Sequence, residues 1–344
     1  MCKLSAYSAM NIDTPDSRRS SKSTVASRFS DRPREKVRLH EVELTLLPNL
    51  LWKALDAQHK SPVLGDPYAG RILDRIEDLD LEGTYGTDER WVRYVAGRAR
   101  RMDAWTAEFL DRHAGERVTV LHLACGLDAR DLRVPRDPET VRWVDVDRPL
   151  VTNLRERLFA PGWGAGGGSC ADLSMSGSSS LSLGADESSP LRPYGDYSLR
   201  SLNVTEGRWY SDIPADRPTL IVAEGLFMYL TPDEAERVIS GLLDYFGRGT
   251  LVFDTVGSLA VNHTKRANLL KPSGSKFQWG VDDARTVLGI HPKLRLTDQL
   301  RWYEFMGVEP CKDNAPPWFG PKAMTLAQLT SGFKDNGQVL RFEF

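Results

Sequence analysis

The sequence is short of several things that would announce a class at once. It has four cysteines in 344 residues, Cys2, Cys125, Cys170 and Cys311, and no two of them form a C-x-x-C pair. A disulfide framework and a zinc site are therefore not expected, and a reducing, cytoplasmic setting fits. No other metal-ligand pattern is present. No stretch approaches the roughly 18 consecutive apolar residues of a membrane span. The formal net charge is only −2, so the chain as a whole draws neither nucleic acid nor an anionic membrane. An internal repeat is lacking too. So is the G-x-G-x-x-G loop that cradles a pyrophosphate, which counts against a dehydrogenase.

What remains is a composition that supports a large core. Hydrophobic residues make up 41% and aromatics 9%, enough for one α/β domain with additions. Residues 1–36 are polar and rich in Ser and Arg, without an apolar segment that would make a secretory signal. They are expected to form a disordered tail. Sixteen of the thirty residues 161–190 are Ser or Gly, which marks a low-complexity insertion. The folded domain is expected over 37–344.

Strands and helices alternate between these landmarks. Helical patterns cover Thr45 to Asp56, the end of Val63 to Asp74, and Trp91 to His113. The apolar run Val118, Val120, Leu121, Leu123 predicts a central parallel strand. Val141 to Asp147 predicts the second strand and Pro149 to Phe159 a crossover helix. Tyr197 to Val204 and Pro218 to Glu224 predict the third and fourth strands. Thr231-Pro-Asp-Glu234 is a capping box with proline at the first helical position. The helix it starts leads to a fifth strand, Thr250 to Asp254. Gln338 to Phe344 alternates and suits a final edge strand. Parallel strands joined by helices imply a doubly wound sheet.

Two of these strands carry the chemistry. The first runs into the loop Ala124-Cys-Gly-Leu-Asp-Ala-Arg130, where Gly126 lets a backbone approach a ligand. The second ends in Asp145 and Asp147. A glycine turn after one strand and an acid at the end of the next is the ribose-recognition arrangement of nucleotide-binding α/β folds. Without pyrophosphate glycines, the pattern suits a ribose-bearing ligand such as S-adenosylmethionine (SAM). Asp147, nearer the carboxyl edge, is the better ribose ligand, with Asp145 the alternative.

These pieces, in this order, resemble the leucine carboxyl methyltransferase family of SAM-dependent O-methyltransferases, and more closely its polyketide O-methyltransferase branch. The carrying segments are Thr45-Leu-Leu-Pro, Lys53-Ala-Leu-Asp56, Asp66-Pro-Tyr-Ala69, Arg98-Ala-Arg-Arg-Met-Asp103, Leu123 to Arg130, Trp143-Val-Asp-Val-Asp-Arg-Pro149, Ala223-Glu-Gly-Leu-Phe-Met-Tyr-Leu230, Phe253-Asp-Thr-Val256 and Phe277-Gln-Trp-Gly-Val-Asp-Asp283. The likeness implies a Rossmann-like sheet with helices on both faces, an N-terminal helical extension and further helical cover. It implies SAM as cofactor and a small aromatic or polyketide acceptor, methylated on a carboxyl or hydroxyl group. Arg98 would pair with the methionine carboxylate, since guanidinium forks match carboxylates. Cys125, Gly126, Asp147 or Asp145, Asn203, Val204, Glu224 and Gly225 would complete the cofactor site. Tyr229, His263, Trp279 and His291 are the acceptor-pocket candidates, and the catalytic residue is left open. The chain departs from the family pattern at Ala124, where glycine is usual, at Ala99 and Ala129, where threonine is usual, and at Asn203, where an acid is usual. Two other readings follow from the same residues: methylation of a protein C-terminal carboxylate, and a SAM-binding scaffold with a decayed site.

Overall fold

The structure is a computed structural model, and it describes residues 34–77, 79–159, 195–267, 273–306 and 336–344. The expected insertion at 161–190 and residues 1–33 of the expected tail lie outside the described residues. Glu35 pairs with Ile76 as an isolated bridge and its carboxylate meets Arg157 at 2.8 Å, so ordered contacts begin slightly before the expected boundary at 37.

Four helices come first: α1 (Leu46–Ala57), α2 (Ala69–Leu73), α3 (Leu81–Tyr85) and the long α4 (Glu89–Arg112). Then follow β1 (Val118–Leu123), α5 (Arg130–Arg133), β2 (Val141–Asp147), α6 (Pro149–Phe159), β3 (Asp196–Ser201) and β4 (Thr219–Ala223). The remainder is α7 (Pro232–Phe246), β5 (Gly249–Thr255), α8 (Ser258–Ala267), β6 (Arg295–Arg301), α9 (Trp302–Phe305) and β7 (Gln338–Glu343). The seven strands form one sheet in the order β3-β2-β1-β4-β5-β7-β6. Strands β1 to β5 run parallel to one another, and β7 runs antiparallel to both β5 and β6.

Side-chain alternation explains why the sheet is covered on both faces. Leu121 and Leu123 of β1, Ile221 and Ala223 of β4, and Leu251 and Phe253 of β5 share one core with α7. Val118 and Val120, Leu220 and Val222, and Val252 share the opposite core with Trp105 and Phe109 of α4. Strands buried on both sides read as continuous apolar runs, as β1 and β4 do. Helix α7 is fixed at its start by Thr231 Oγ1, which accepts from the Glu234 amide, while the Glu234 carboxylate accepts from the Thr231 amide. Such a cap is worth about 1 kcal/mol. Gly97 lets α4 pack closely at its middle: a Cβ there would lie 2.3 Å from the Phe305 carbonyl oxygen.

One expectation is corrected. Gln338–Glu343 is not an edge strand; it lies inside the sheet, and the polar Arg295–Arg301 segment takes the edge. Among the described residues no helix is long and apolar enough to cross a membrane.

Candidate functional site

Registers place four strand ends level with one another. Leu123 pairs with Val146 and Ala223, and Ala223 pairs with Phe253. The next residues along, at the carboxyl edge where open α/β sheets bind ligands, are Ala124, Asp147, Glu224 and Asp254.

Glu224 is the centre of this edge. Its carboxylate meets Lys53 Nζ at 3.2 Å, Arg98 Nη2 at 3.1 Å and Arg130 Nη2 at 2.5 Å. Burial by itself would push this carboxyl up, but Lys53, Arg98 and Arg130 outweigh it and hold the group well below the usual carboxylate range. Arg98 also donates from Nη1 to Asp254 Oδ2 at 2.7 Å and from Nη2 to Asn49 Oδ1 at 2.8 Å. The Gly225 amide donates to the other Asp254 oxygen at 2.6 Å. Burial raises the Asp254 carboxyl despite Arg98.

Lys53 is a site residue that the sequence reading placed only within a matched segment. It is 4% exposed, and it bridges Glu224 and Asp128 Oδ2, the latter at 3.3 Å. The signal was available: Asn49, Lys53 and Asp56 are polar residues spaced four and three apart, hence on one face of a helix that is otherwise apolar. Arg130, the last residue of the matched loop segment and the first of α5, is not singled out by sequence either. It is fully buried, donating from Nε to Asp103 at 2.7 Å and from Nη1 to His122 Nε2 at 3.1 Å. His122 Nδ1 lies 3.2 Å from Asp145 Oδ1. Both contacts are hydrogen bonds in the tautomer that carries its proton on Nδ1.

The two acids of β2 have different surroundings. Asp145 is fully buried and accepts from Trp143 Nε1 at 2.7 Å, Arg155 Nη2 at 2.6 Å and the Tyr197 hydroxyl at 2.8 Å. Burial pushes it up, but Arg155 and the hydrogen bonds prevail and bring it down to about 2. It lies beneath the floor of the site, so it is a structural anchor and not a surface ligand. Asp147 is half-buried at the strand end. Its oxygens accept from the Gly126 and Arg148 amides, both at 2.7 Å. Burial raises it to about 6, against the pull of those two amides.

Arg155 ties these parts together from below. It donates from Nη1 to the carbonyls of Gly126 (3.2 Å) and Asp128 (2.6 Å), and from Nη2 to Asp131 (3.0 Å) and Asp145. Its guanidinium also sits 4.1 Å from the centre of the Phe159 ring. The loop it holds begins with strain. Ala124 has φ +51°, in the left-handed region that favours glycine. Cys125 is buried, its amide donates to Val146 O at 3.1 Å, and burial pushes its thiol up. It therefore faces the core as a protonated thiol. Gly126 follows at φ +56°.

Past β3, Val204 is buried and Asn203 is half-buried. Asn203 turns its side-chain oxygen to the Thr205 amide at 3.2 Å. Among the acceptor candidates, Tyr229 stands beside the charged centre. Arg98 and Asp254 both influence its hydroxyl, which burial raises to about 12, and its ring packs on Phe277 with centroids 5.3 Å apart. Trp279 is a packing residue against Phe227 and Phe253. His263 is exposed on α8. His291 does not join the site: its Nε2 meets Asp244 at 3.0 Å, near the end of α7 that feeds the start of β5. That is the amino edge of the sheet, opposite to Glu224.

The donor set suits a zwitterion carrying a ribose. Lys53, Arg98 and Arg130 converge on one carboxylate, Glu224, so charges of both signs meet at one point. Asp147 keeps accessible surface at the strand end, and a Cβ built at Gly225 meets nothing within 4 Å, so there is room beside Glu224.

Comparisons with known proteins give the chain its relatives. Residues 47–163 match the family described as leucine carboxyl methyltransferase. The chain is 32% identical over 313 residues to the tetracenomycin polyketide synthesis O-methyltransferase TcmP of Streptomyces glaucescens, covering 90% of this chain and 99% of that one. It is 31% identical over 279 residues to the S-adenosyl-L-methionine-dependent methyltransferase dpfgK of Gibberella zeae, covering 77% of this chain and 84% of that one. Among solved structures, a DUF574 family protein from Streptomyces avermitilis aligns with a TM-score of 0.44 at 10% identity, over 86% of this chain and 95% of that one.

Proposed function

Because this chain belongs to the leucine carboxyl methyltransferase family and is a SAM-dependent methyltransferase, we propose that it methylates an oxygen of a small aromatic or polyketide acceptor. The observation that carries the reading is the buried cluster of Arg98, Lys53 and Glu224, with β1 between the strand of Glu224 and that of Asp147. Arg98 and Lys53 face the carboxylate of the methionine part and Glu224 its ammonium. Asp147 accepts from the ribose hydroxyls. Val204 and Asn203 flank the adenine, with Asn203 taking the place of an acid.

The sulfonium of SAM supplies an already activated methyl group. The protein's part is therefore alignment, which alone lowers a barrier by several kcal/mol, on the order of 7–11 in favourable cases. Glu224 and Asp254 are engaged by cations, and Tyr229 holds its proton well past neutral pH. None of the three is disposed to act as a general base. This favours an acceptor that arrives as an anion, a carboxylate or an acidic phenol, over a neutral alcohol.

Calorimetry with SAM and S-adenosylhomocysteine tests the cofactor site. Wild-type protein should bind both in the micromolar range, and Asp147→Ala should bind at least about tenfold more weakly, the loss of a hydrogen bond to a charged group. Binding unaffected by the substitution would remove Asp147 from the site. Labelled SAM with a panel of aromatic acids, phenols and a peptide carboxylate then tests the acceptor class. Turnover of the peptide alone would replace the small-molecule reading.

A further inference from the structure

Four large hydrophobic side chains are exposed among the described residues, and Trp91 is the one aromatic in that group, at 43% exposure. It is stacked on Trp52 with ring centroids 5.7 Å apart and planes 13° from parallel. Trp52 is itself anchored, donating from Nε1 to the Gly86 carbonyl at 3.0 Å. One indole is thus fixed to α1 and α3, while the other lies on it with much of its surface uncovered.

Position along α4 gives this pair a direction. Trp91 and Arg98 are seven residues apart, so they lie two turns and roughly 10 Å from each other on nearly the same helix face. The end of α4 leads through a short turn into the start of β1. Going back from Arg98 to Trp91 therefore means going outward, past the carboxyl edge of the sheet. Tyr94 fills the interval, touching Trp91 edge-on at 6.0 Å and lying 5.9 Å from the Arg98 guanidinium. Tyr229 and Phe277 form a second pair beside Arg98.

We propose that the Trp91–Trp52 stack is the acceptor's docking platform, and that the acceptor is a flat, multi-ring aromatic anion. Its distal rings lie on the Trp91 indole. Its reacting oxygen reaches the space above Glu224 between Tyr94 and Tyr229. A single ring does not bridge the two turns from Trp91 to Arg98, whereas a fused-ring system does. The proposal rests on the O-methyltransferase reading above and adds a length requirement to it.

The test uses the full chain with 1,2-dihydroxyanthraquinone and salicylate as probes, each with S-adenosylhomocysteine present. Binding is read from quenching of tryptophan fluorescence and by calorimetry, and methyl transfer is measured separately with SAM. Trp91→Ala should weaken anthraquinone binding ~10-fold, as loss of one aromatic stack implies, and raise its KM equally. It should leave SAM affinity and kcat unchanged. Trp91→Phe should recover most of the binding. Salicylate binding should not respond to either change. Equal anthraquinone affinity in wild type and Trp91→Ala overturns the platform, as does failure of the wild type to bind anthraquinone. So does a shift from dimer to monomer in Trp91→Ala by sedimentation, which would assign the stack to contact between copies. The parent reading fails separately: wild type that binds anthraquinone through Trp91 yet methylates no acceptor keeps the platform and loses the activity.

Discussion

The two ends of the parallel sheet are built from charges used in opposite ways. At the amino end, Arg112 pairs with Glu343, and Arg217 with Asp216, on the surface. At the carboxyl end, Lys53, Arg98, Arg130 and Arg155 meet Glu224, Asp254, Asp128, Asp131 and Asp145 beneath the surface. An exposed pair gains little because water screens it. A buried pair costs much to desolvate, and removing one partner strands the other. The lesson is that the carboxyl end is over-determined: each cation holds several partners, and each major carboxylate is held from more than one element.

Breaking one hub at each end should give the largest contrast. Arg155→Ala removes four hydrogen bonds and leaves Asp145 without its main cation, so it should cost about 3–5 kcal/mol. Arg112→Ala should cost under about 1 kcal/mol. Urea unfolding monitored by circular dichroism compares them, and similar midpoints would dissolve the contrast. If Arg155→Ala does not fold, Arg155→Lys keeps the charge without the fork and should fall between the two.

A smaller effect distinguishes the ends by pH. Burial, and then the neighbouring Asp145, raise Asp131 to about 7 in spite of Arg155 and Arg136. Its folded value lies above the unfolded one, so the proton stabilises the fold. That contribution is full below about pH 4 and is lost as pH rises through 7. Wild-type stability should therefore fall between pH 5 and 8, and Asp131→Asn should flatten that fall. Asp216 is lowered by Arg217 and titrates below that window, so Asp216→Asn should leave the profile between pH 5 and 8 as it is. Thermal midpoints across that range provide the check.

The smallest effect concerns strain in the loop that the buried charges support. Ala124→Gly relieves a left-handed alanine but gives up a methyl packed near the core and adds freedom to the unfolded chain. The expected gain is at most ~1 kcal/mol. A clear fall in the thermal midpoint would mean that the methyl, not the strain, dominates.

Legibility in the sequence followed the same division. β1, β2, β4, β5 and α7 were readable because apolar periodicity and a capping box are local signals. Arg295–Arg301 was not read as a strand: its residues are polar and half-exposed, and an edge strand of that kind, with a register shift between Leu296 and Asp298, avoids unwanted pairing. Arg98, Glu224, Gly126 and Asp147 can be named as candidates from sequence because they sit in recognisable segments or at strand ends. Arg130 and Arg155 cannot, since a buried arginine looks like a solvated one until its partners from distant segments are in place. His291 was placed in the acceptor pocket from its nearness to a matched segment, and distance along the chain gave no hint that the turn would carry it to the other edge.

The interior position of β7 has a consequence in time. Among the described residues β6 pairs with β7 alone, and β7 also closes the outer edge of β5. During synthesis the five parallel strands from β3 to β5 can assemble early, but β6 emerges before its partner exists. Until Gln338–Glu343 arrives, β5 presents a bare edge, and closing it requires contact across a long stretch of chain, a slow event. The species most exposed to mispairing between molecules is thus a five-stranded sheet whose carboxyl edge is already assembled, with β7 and the β6 that pairs with it still to be added.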